Sequence, residues 1–444
     1  MGHRIGIIDL GSNTARLVIY NYDPAGLFVE QENLKRVLRL SARIQFDGRL
    51  DQQAFDETIA CFQVFRRLCD VNGVTEIVAV ATAAVRQAVN GHYLINRLYD
   101  ETGIRVRLLT GEEEAGYIHL AAAHAIASPD AIVVDLGGGS AEFIRMIDRQ
   151  RLAATSMPFG AVNLTLNFTE NDTVDAAAVG TFLRQQFRFQ PWLMKAGLPI
   201  IASGGMARTI AKIHQRRRQY SLPSVHHYAL SRAEFADLAT WLLEMPPAAR
   251  SGVSGLPKHR VDLIVAGLTF FQELMAVSDS PELIINAKGL REGMIVERLL
   301  TEVSRMVIDD PLAFCAGQLL LRHDIRPEHP RHVSRLACSL FDQFVEQGLF
   351  VAQDSDRRLL ENAALLHDVG RAIDVHESEQ HTFYLLSNVL TMGVTHRDRV
   401  RIALIASFRA GKTLKNRLQT YGDIVDKEDE ARQEAPGSLV LLAR

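Results

Sequence analysis

Along roughly the first 300 positions, short apolar blocks alternate with stretches of helical spacing; beyond them only the helical spacing continues. Arg4 to Tyr20 reads as strand, tight turn, strand, and Ala131 to Leu136 as another buried strand, because short apolar runs bounded by turn residues are the strand pattern. Phe55, Ile59, Phe62, Val64, Phe65 and Leu68 recur at helical intervals and predict a helix over 53–71. Glu76–Ala81 and Val106–Leu109 predict strands, and an apolar helix is predicted from 111 to about Ile126. The pattern then predicts a helix from about Val174 to Lys195, a strand over Pro199–Ala202 and a buried helix over Val261–Val277. A strand over Leu283–Asn286 and a helix ending near Ser304 follow. Asp309-Asp-Pro311 breaks that helix, and strand signals cease. Strand–helix alternation followed by helices alone predicts an α/β region and then an all-α domain. The expected divisions are 1–127, 128–305 (opened by the turn Ser128-Pro-Asp130), 306–420, and a charged tail over 421–444.

The two strand–turn units are near-copies. With an offset of 126 residues, Ile5-Gly-Ile-Ile-Asp-Leu-Gly-Ser-Asn-Thr-Ala-Arg16 lies over Ala131-Ile-Val-Val-Asp-Leu-Gly-Gly-Gly-Ser-Ala-Glu142, so Asp135 falls on Asp9 and Gly137 on Gly11. Each strand ends in an aspartate and a turn that leaves backbone N–H groups free, a geometry that cradles phosphate. Two such turns, each with a carboxylate, suit a phosphate and its divalent cation. Ser203-Gly-Gly-Met206 is a third glycine turn at a strand-to-helix junction, suited to an anion.

Two further positions sit beside predicted strand ends, where ligands of open α/β sheets lie. Arg86 follows the strand ending at Ala81. Thr110-Gly-Glu-Glu-Glu-Ala115 opens a helix; Thr110 with Glu113 fits a capping box, and Glu112, Glu113 and Glu114 suit the helix dipole. Capping and catalysis are both open to this string.

Composition narrows the class. Of 444 residues, 47% are hydrophobic and 23% charged, as in a globular protein with real cores. No basic-then-apolar leader is evident, and the longest apolar run is interrupted by Gln272 and Glu273, so a soluble, cytoplasmic protein with no membrane partner is expected. Cys61, Cys69, Cys315 and Cys338 form no CxxC pair, so buried free thiols are expected. A net charge of −3 argues against indiscriminate nucleic-acid binding and requires local basic surface for any polyanion. Two basic stretches, Lys212–Arg218 and Arg397–Arg417, are the candidates for guiding one. Seven of the fifteen histidines lie between His323 and His396. His332 with His367-Asp368 begins the ligand set of metal-dependent HD phosphohydrolases, but near Ile402–Phe408 the required later aspartate is missing, Asp398 being the nearest.

Asp9-Leu-Gly-Ser-Asn13, Ala81-Thr-Ala-Ala-Val-Arg86, Gly111-Glu-Glu-Glu-Ala115, Asp135-Leu-Gly-Gly-Gly-Ser140, Ala202-Ser-Gly204 and Gly289-Leu-Arg-Glu-Gly293 occur in the order seen in exopolyphosphatases and guanosine pentaphosphate phosphohydrolases. The chain resembles that family over about its first 305 residues, and its remainder resembles the HD-type extension of longer members. The resemblance implies two actin-like (ribonuclease H-like) α/β lobes, an all-α HD-like domain and a homodimer. It implies Glu114 as the base that activates water and Arg86 as the arginine on the substrate phosphate. Asp135 and Glu142 are implied to hold Mg2+. The implied phosphate turns are Asp9, Gly11, Ser12, Asn13 and Arg16, and Gly137, Gly138, Gly139 and Ser140. The implied reaction is hydrolysis of the terminal phosphoanhydride of inorganic polyphosphate, with guanosine pentaphosphate as the alternative substrate. One departure stands out: the family often carries a polar residue where this chain has Ala83. A sugar kinase of the same fold is disfavoured by the glutamate string that opens a helix before the second turn, and a non-enzymatic actin-like protein by the presence of the whole set Asp9, Arg86, Glu114, Asp135 and Glu142.

Overall fold

The computed structural model describes residues 3–22, 28–170, 173–302, 308–349, 351–426 and 429–444, without the side chains of 302 and 429–432. In the first lobe, β1 (His3–Leu10), β2 (Thr14–Tyr22) and β3 (Phe28–Val37) form an antiparallel meander. Helix α1 (Gln52–Val71) leads to β4 (Glu76–Ala81), α2 (Ala83–Gln87) and α3 (Gly91–Thr102) to β5 (Val106–Leu108), and α4 (Gly111–Ala125) leaves it. β4 and β5 add in parallel, giving the order β3-β2-β1-β4-β5. The predicted helix over 53–71 is present because Phe55, Ile59, Phe62 and Phe65 make one apolar stripe, which packs with Ile8, Leu10 and Leu17 in a common core.

The second lobe repeats the plan. β6 (Ala131–Leu136), β7 (Ala141–Ile147) and β8 (Gln150–Met157) form the meander, followed by α5 (Ala161–Asn167) and the small hairpin β9 (Thr169–Glu170) and β10 (Thr173–Val174). Then come α6 (Ala176–Arg188), β11 (Ile200–Ser203), α7 (Gly204–Arg218), β12 (Ala229–Ser231), α8 (Arg232–Glu244), α9 (Pro247–Arg250), α10 (Ile264–Ser278), β13 (Glu282–Ile285) and α11 (Leu290–Glu302). The sheet order is β12-β13-β11-β6-β7-β8, with β11 parallel to both β6 and β13. The helix predicted to reach Lys195 ends at Arg188, ahead of Pro191, which lacks a helical N–H. The predicted end near Ser304 lies outside the described residues. In both meanders the turn aspartate pairs across the ladder with the last residue of its copied motif: Asp9 with Arg16, Asp135 with Glu142.

The chain divides into two units, one of residues 1–123, 128–217 and 228–306 and the other of 124–127, 218–227 and 307–444. The second unit is helical from α12 (Pro311–Arg322) through α13 (Glu328–Glu346), α14 (Asp356–Leu365), α15 (Ser378–Val389), α16 (His396–Ala406) and α17 (Gly411–Thr420) to α18 (Asp429–Ala443). Asp310 starts it by accepting hydrogen bonds from Leu312 N and Ala313 N at 2.9 and 3.1 Å.

Four expectations for this unit change. The segment from 421 is not merely a charged tail: α18 buries Leu439, Val440 and Ala443 in the helical core, with Val333, Leu360 and Ile402. His367 lies past the end of α14, and the histidine that approaches it is His329, their ring centroids 5.7 Å apart; His332, one turn further along α13, is not in the cluster. Asp398 closes the first turn of α16, accepting from Thr395 Oγ1 at 2.9 Å. The basic stretch 397–417 is only partly surface: Arg399 and Arg401 are buried, and Arg401 pairs with Asp356 at 2.5 Å, while Arg397, Arg409, Lys412 and Lys415 are exposed.

Candidate active site

Of the residues singled out in the sequence, Asp9, Gly11, Ser12, Asn13, Arg16, Glu114, Asp135, Gly137, Gly138, Ser140 and Glu142 line a single cleft of about 200 Å³. Each turn is closed by one backbone bond, Gly11 N donating to Thr14 O and Gly137 N to Ser140 O, both at 3.0 Å. The amides of Ser12, Asn13, Gly138 and Gly139 have no backbone acceptor among the described residues, which leaves them for an anion. Gly139 is not itself in the lining, yet its place is constrained. A Cβ there would stand 2.8 Å from Ser41 Oγ and 2.9 Å from Ser12 Oγ, so a side chain at this position would force both hydroxyls to turn aside.

Glu114 enters from the first turn of α4. Its helix begins in a reciprocal cap: Glu113 N donates to Thr110 Oγ1 at 3.2 Å, and Thr110 N donates to Glu113 Oε2 at 2.8 Å. Capping therefore falls to Glu113, and Glu114 is free to face the cleft. Arg86 stands just outside the lining and reaches it through Glu114, with Nη1 3.3 Å from Oε2 and 2.6 Å from the Leu109 carbonyl. Burial, followed by the charge of Glu142, lifts the Glu114 carboxyl well above its usual range, and Arg86 opposes the shift.

The opposite wall holds Asp135 and Glu142. Burial raises Asp135 to about 6; burial and then the Asp135 charge raise Glu142 to about 7. Ser156 Oγ donates to Glu142 Oε1 at 2.9 Å. Among the described residues neither carboxylate has a basic side chain at ion-pair distance. Two adjacent oxygen donors, Glu142 buried and Asp135 partly so, with no basic side chain paired to them, fit a hard divalent cation such as Mg2+, which takes one or two carboxylates and keeps several waters. Asp9 is different. Burial raises its carboxyl too, but Arg291 of α11 meets it at 3.2 Å.

Residues 18–302 match the Ppx/GppA phosphatase family, and residues 315–433 match its domain III. The chain belongs to the Ppx/GppA phosphatase family. Similar curated members are exopolyphosphatase 1 of Mycobacterium tuberculosis (strain ATCC 25618 / H37Rv), 26% identical over 314 residues covering 67% of this chain and 89% of that one, and exopolyphosphatase 1 of Mycobacterium leprae (strain TN), 25% identical over 351 residues covering 76% and 98%. Among solved structures, the Aquifex aeolicus Ppx/GppA family member is 29% identical with a TM-score of 0.59, covering 68% of this chain and 98% of that one. An exopolyphosphatase from Cytophaga hutchinsonii, 24% identical with a TM-score of 0.60 and coverage of 67% and 98%, shares the fold. As a Ppx/GppA phosphatase the chain is a hydrolase, built as two actin-like lobes and a helical domain.

The cleft also contains residues that the sequence reading did not single out as site residues: Lys35, Thr82, Arg208, Arg260 and Arg291. Arg291 and Thr82 had a sequence signal, within the Gly289–Gly293 and Ala81–Arg86 strings; Lys35, Arg208 and Arg260 had none. Neither basic stretch proposed for a polyanion supplies any of them; Arg217, in the first stretch, pairs with Asp237 at 2.6 Å and lies over the Trp241 ring. Ala83 is buried at the start of α2.

Proposed function

We propose that this hydrolase is an exopolyphosphatase that cleaves the terminal phosphoanhydride of inorganic polyphosphate, releasing orthophosphate, with Mg2+ as cofactor. The observation that carries the proposal is the placing of Glu114: a buried carboxylate of raised proton affinity, in the same cleft as two turns with free amides. In that position it accepts the proton of a water attacking a phosphorus atom held between the turns. Phosphoryl transfer proceeds through a loose transition state, so the protein's work is positioning and charge stabilisation. The amides of Ser12, Asn13, Gly138 and Gly139 orient the non-bridging oxygens. Arg86 holds Glu114 in place and offers its remaining N–H groups to phosphate oxygen, a charge-assisted contact. Asp135 and Glu142 would hold Mg2+, which when bound neutralises charge on the phosphate oxygens.

Polyphosphate is favoured over guanosine pentaphosphate because no aromatic side chain among the described residues lines the cleft to stack on a purine. The curated relatives named above are exopolyphosphatases, which agrees with this choice. Orthophosphate release from long polyphosphate, tripolyphosphate and guanosine pentaphosphate, measured side by side with and without Mg2+, tests it; a preference for the nucleotide would refute it. Glu114→Gln is expected to lower kcat by at least ~10²-fold while still binding substrate, and near-normal turnover would remove Glu114 as the base.

A further inference from the structure

The positive charge of the cleft is largely unspent within the protein. Arg16 and Lys35 lie directly opposite each other on the β2–β3 ladder, an arrangement of like charges that destabilises a sheet unless an anion joins them. Arg16 donates to the neutral Asn33 Oδ1 at 2.6 Å, Arg208 to the Ala287 carbonyl at 3.0 Å, and Arg260 to the Gly205 carbonyl and Thr209 Oγ1. Among the described residues none of Arg16, Lys35, Arg208 or Arg260 has a carboxylate at ion-pair distance. Burial, and then the charges of Arg260, Arg16, Arg208 and Arg291, depress the Lys35 ammonium, which shows how closely the five cations crowd.

Next to this cleft lies a second cavity of about 330 Å³, with Arg39, Arg250 and Lys258 in its wall, Thr173 of β10 beside them, and one carboxylate, Asp262. Neighbouring residues line the two cavities. Leu38 N and Arg39 N both donate to the carbonyl of Asn13, in the first phosphate turn, at 3.0 Å. In the segment before α10, Arg260 and Leu263 face the cleft while Lys258, Val261 and Asp262 face the second cavity. His259 lies between them in sequence. Its buried Nε2 has no partner among the described residues, and burial, then Arg260, Lys35 and Arg39, hold its imidazole below the usual range against the opposing charge of Asp262, so the positive charges of both cavities reach it. Arg250 is 8% exposed; its Nε and Nη2 donate to the Leu242 and Leu243 carbonyls at 3.2 Å each, and no acceptor among the described residues meets its Nη1. That Nη1 is not among the fully buried unpaired atoms, so it is open to the cavity and available to an anion.

We propose that this second cavity is a distal subsite for a linear polyanion: Arg39, Arg250 and Lys258 hold phosphates several residues behind the terminal one seated between the two turns. The inference rests on the polyphosphate reading of the cleft and deepens it, since it makes substrate length something the site senses. Tripolyphosphate fills the cleft alone, whereas a long chain continues past Arg260 and Lys258.

The test combines Arg39→Glu with Lys258→Glu, both exposed positions outside the catalytic cleft. Equilibrium binding of long-chain polyphosphate and of tripolyphosphate is measured by calorimetry on the Glu114→Gln protein, with and without the double reversal, and hydrolysis is measured separately on proteins that retain Glu114. Long-chain affinity is expected to fall at least about tenfold, with tripolyphosphate affinity unchanged within about twofold. The difference should shrink at about 1 M salt, where the screening length is only ~3 Å. Equal losses for both ligands, or no loss for either, would overturn the subsite. If the protein with Glu114 releases no orthophosphate from either ligand, the exopolyphosphatase reading fails, while the binding ratio still decides the subsite. Lys258→Gln with Arg39→Gln, at unchanged thermal midpoint, separates loss of attraction from the repulsion introduced by glutamate: a smaller loss of the same sign supports the subsite, and none at all counts against it.

Discussion

Replacing Glu142 by glutamine should make the metal-free protein more stable, and only at the alkaline end of the pH range. Glu142 is 1% exposed, and burial followed by the Asp135 charge lifts its carboxyl from 4.5 to about 7. A carboxyl whose folded-state pKa lies above its unfolded value binds its proton more tightly when folded. That contribution is fully present below about pH 4.5 and is lost as pH rises through about 7. At ~1.4 kcal/mol per pKa unit, the ionised group costs the folded state about 3 kcal/mol above pH 7. Glutamine keeps the volume, and its Oε1 still accepts from Ser156 Oγ. Its amide has to find an acceptor, so 3 kcal/mol is the upper end of the gain. Both tryptophans, Trp192 and Trp241, lie in the unit that contains the cleft, so tryptophan fluorescence during urea unfolding reports on that unit. In EDTA at pH 8 the Glu142→Gln midpoint should exceed that of the unsubstituted protein, the gap closing towards pH 5. Added Mg2+ should raise the unsubstituted protein more than the variant. An equal or lower midpoint at pH 8, or the same gap at both pH values, would refute the reasoning.

Other outcomes follow from packing. Gly139→Ala forces the Ser12 and Ser41 hydroxyls to turn aside beside the second turn, and kcat/KM should fall by up to ~10²-fold, the worth of an ångström-scale misplacement, with the thermal midpoint little changed. Asp356→Ala strands the buried Arg401 guanidinium and should cost ~3–5 kcal/mol, whereas Asp356→Leu combined with Arg401→Met should recover most of it. Val440→Asp places a charge where the native side chain is 1% exposed; limited proteolysis should then cleave the helical unit rapidly, and an unchanged pattern would remove α18 from its core.

The parts of the site that were legible in the sequence are those made by local chemistry. Asp9 and Asp135 end apolar runs, glycines mark the turns, and the Thr110–Glu113 cap fixes where α4 begins and therefore which glutamate is free. Lys35, Arg208 and Arg260 were not legible as site residues because each comes from a separate element, β3, α7 and the segment before α10, and only the tertiary fold brings them to one cleft. His329 and His332 are one helical turn apart on α13, and sequence spacing alone does not say which of them meets His367. The acidic run before Glu434 drew attention from the apolar positions Leu439, Val440 and Ala443, which decide that α18 packs. The Arg397–Arg417 stretch shows the converse: a run of basic residues reads as surface, yet the helix turns Arg399 and Arg401 inward.

Arg86 is bonded to the carbonyl of Leu109, beside the strand that feeds Glu114's own helix, so the arginine and the base ride together on the first lobe. Asp135 and Glu142 ride on the second. The charge of Glu142 raises the proton affinity of Glu114 across the gap. The strength of the base on one lobe is thus tuned by a carboxylate on the other, and a proton taken up by Glu142 weakens it.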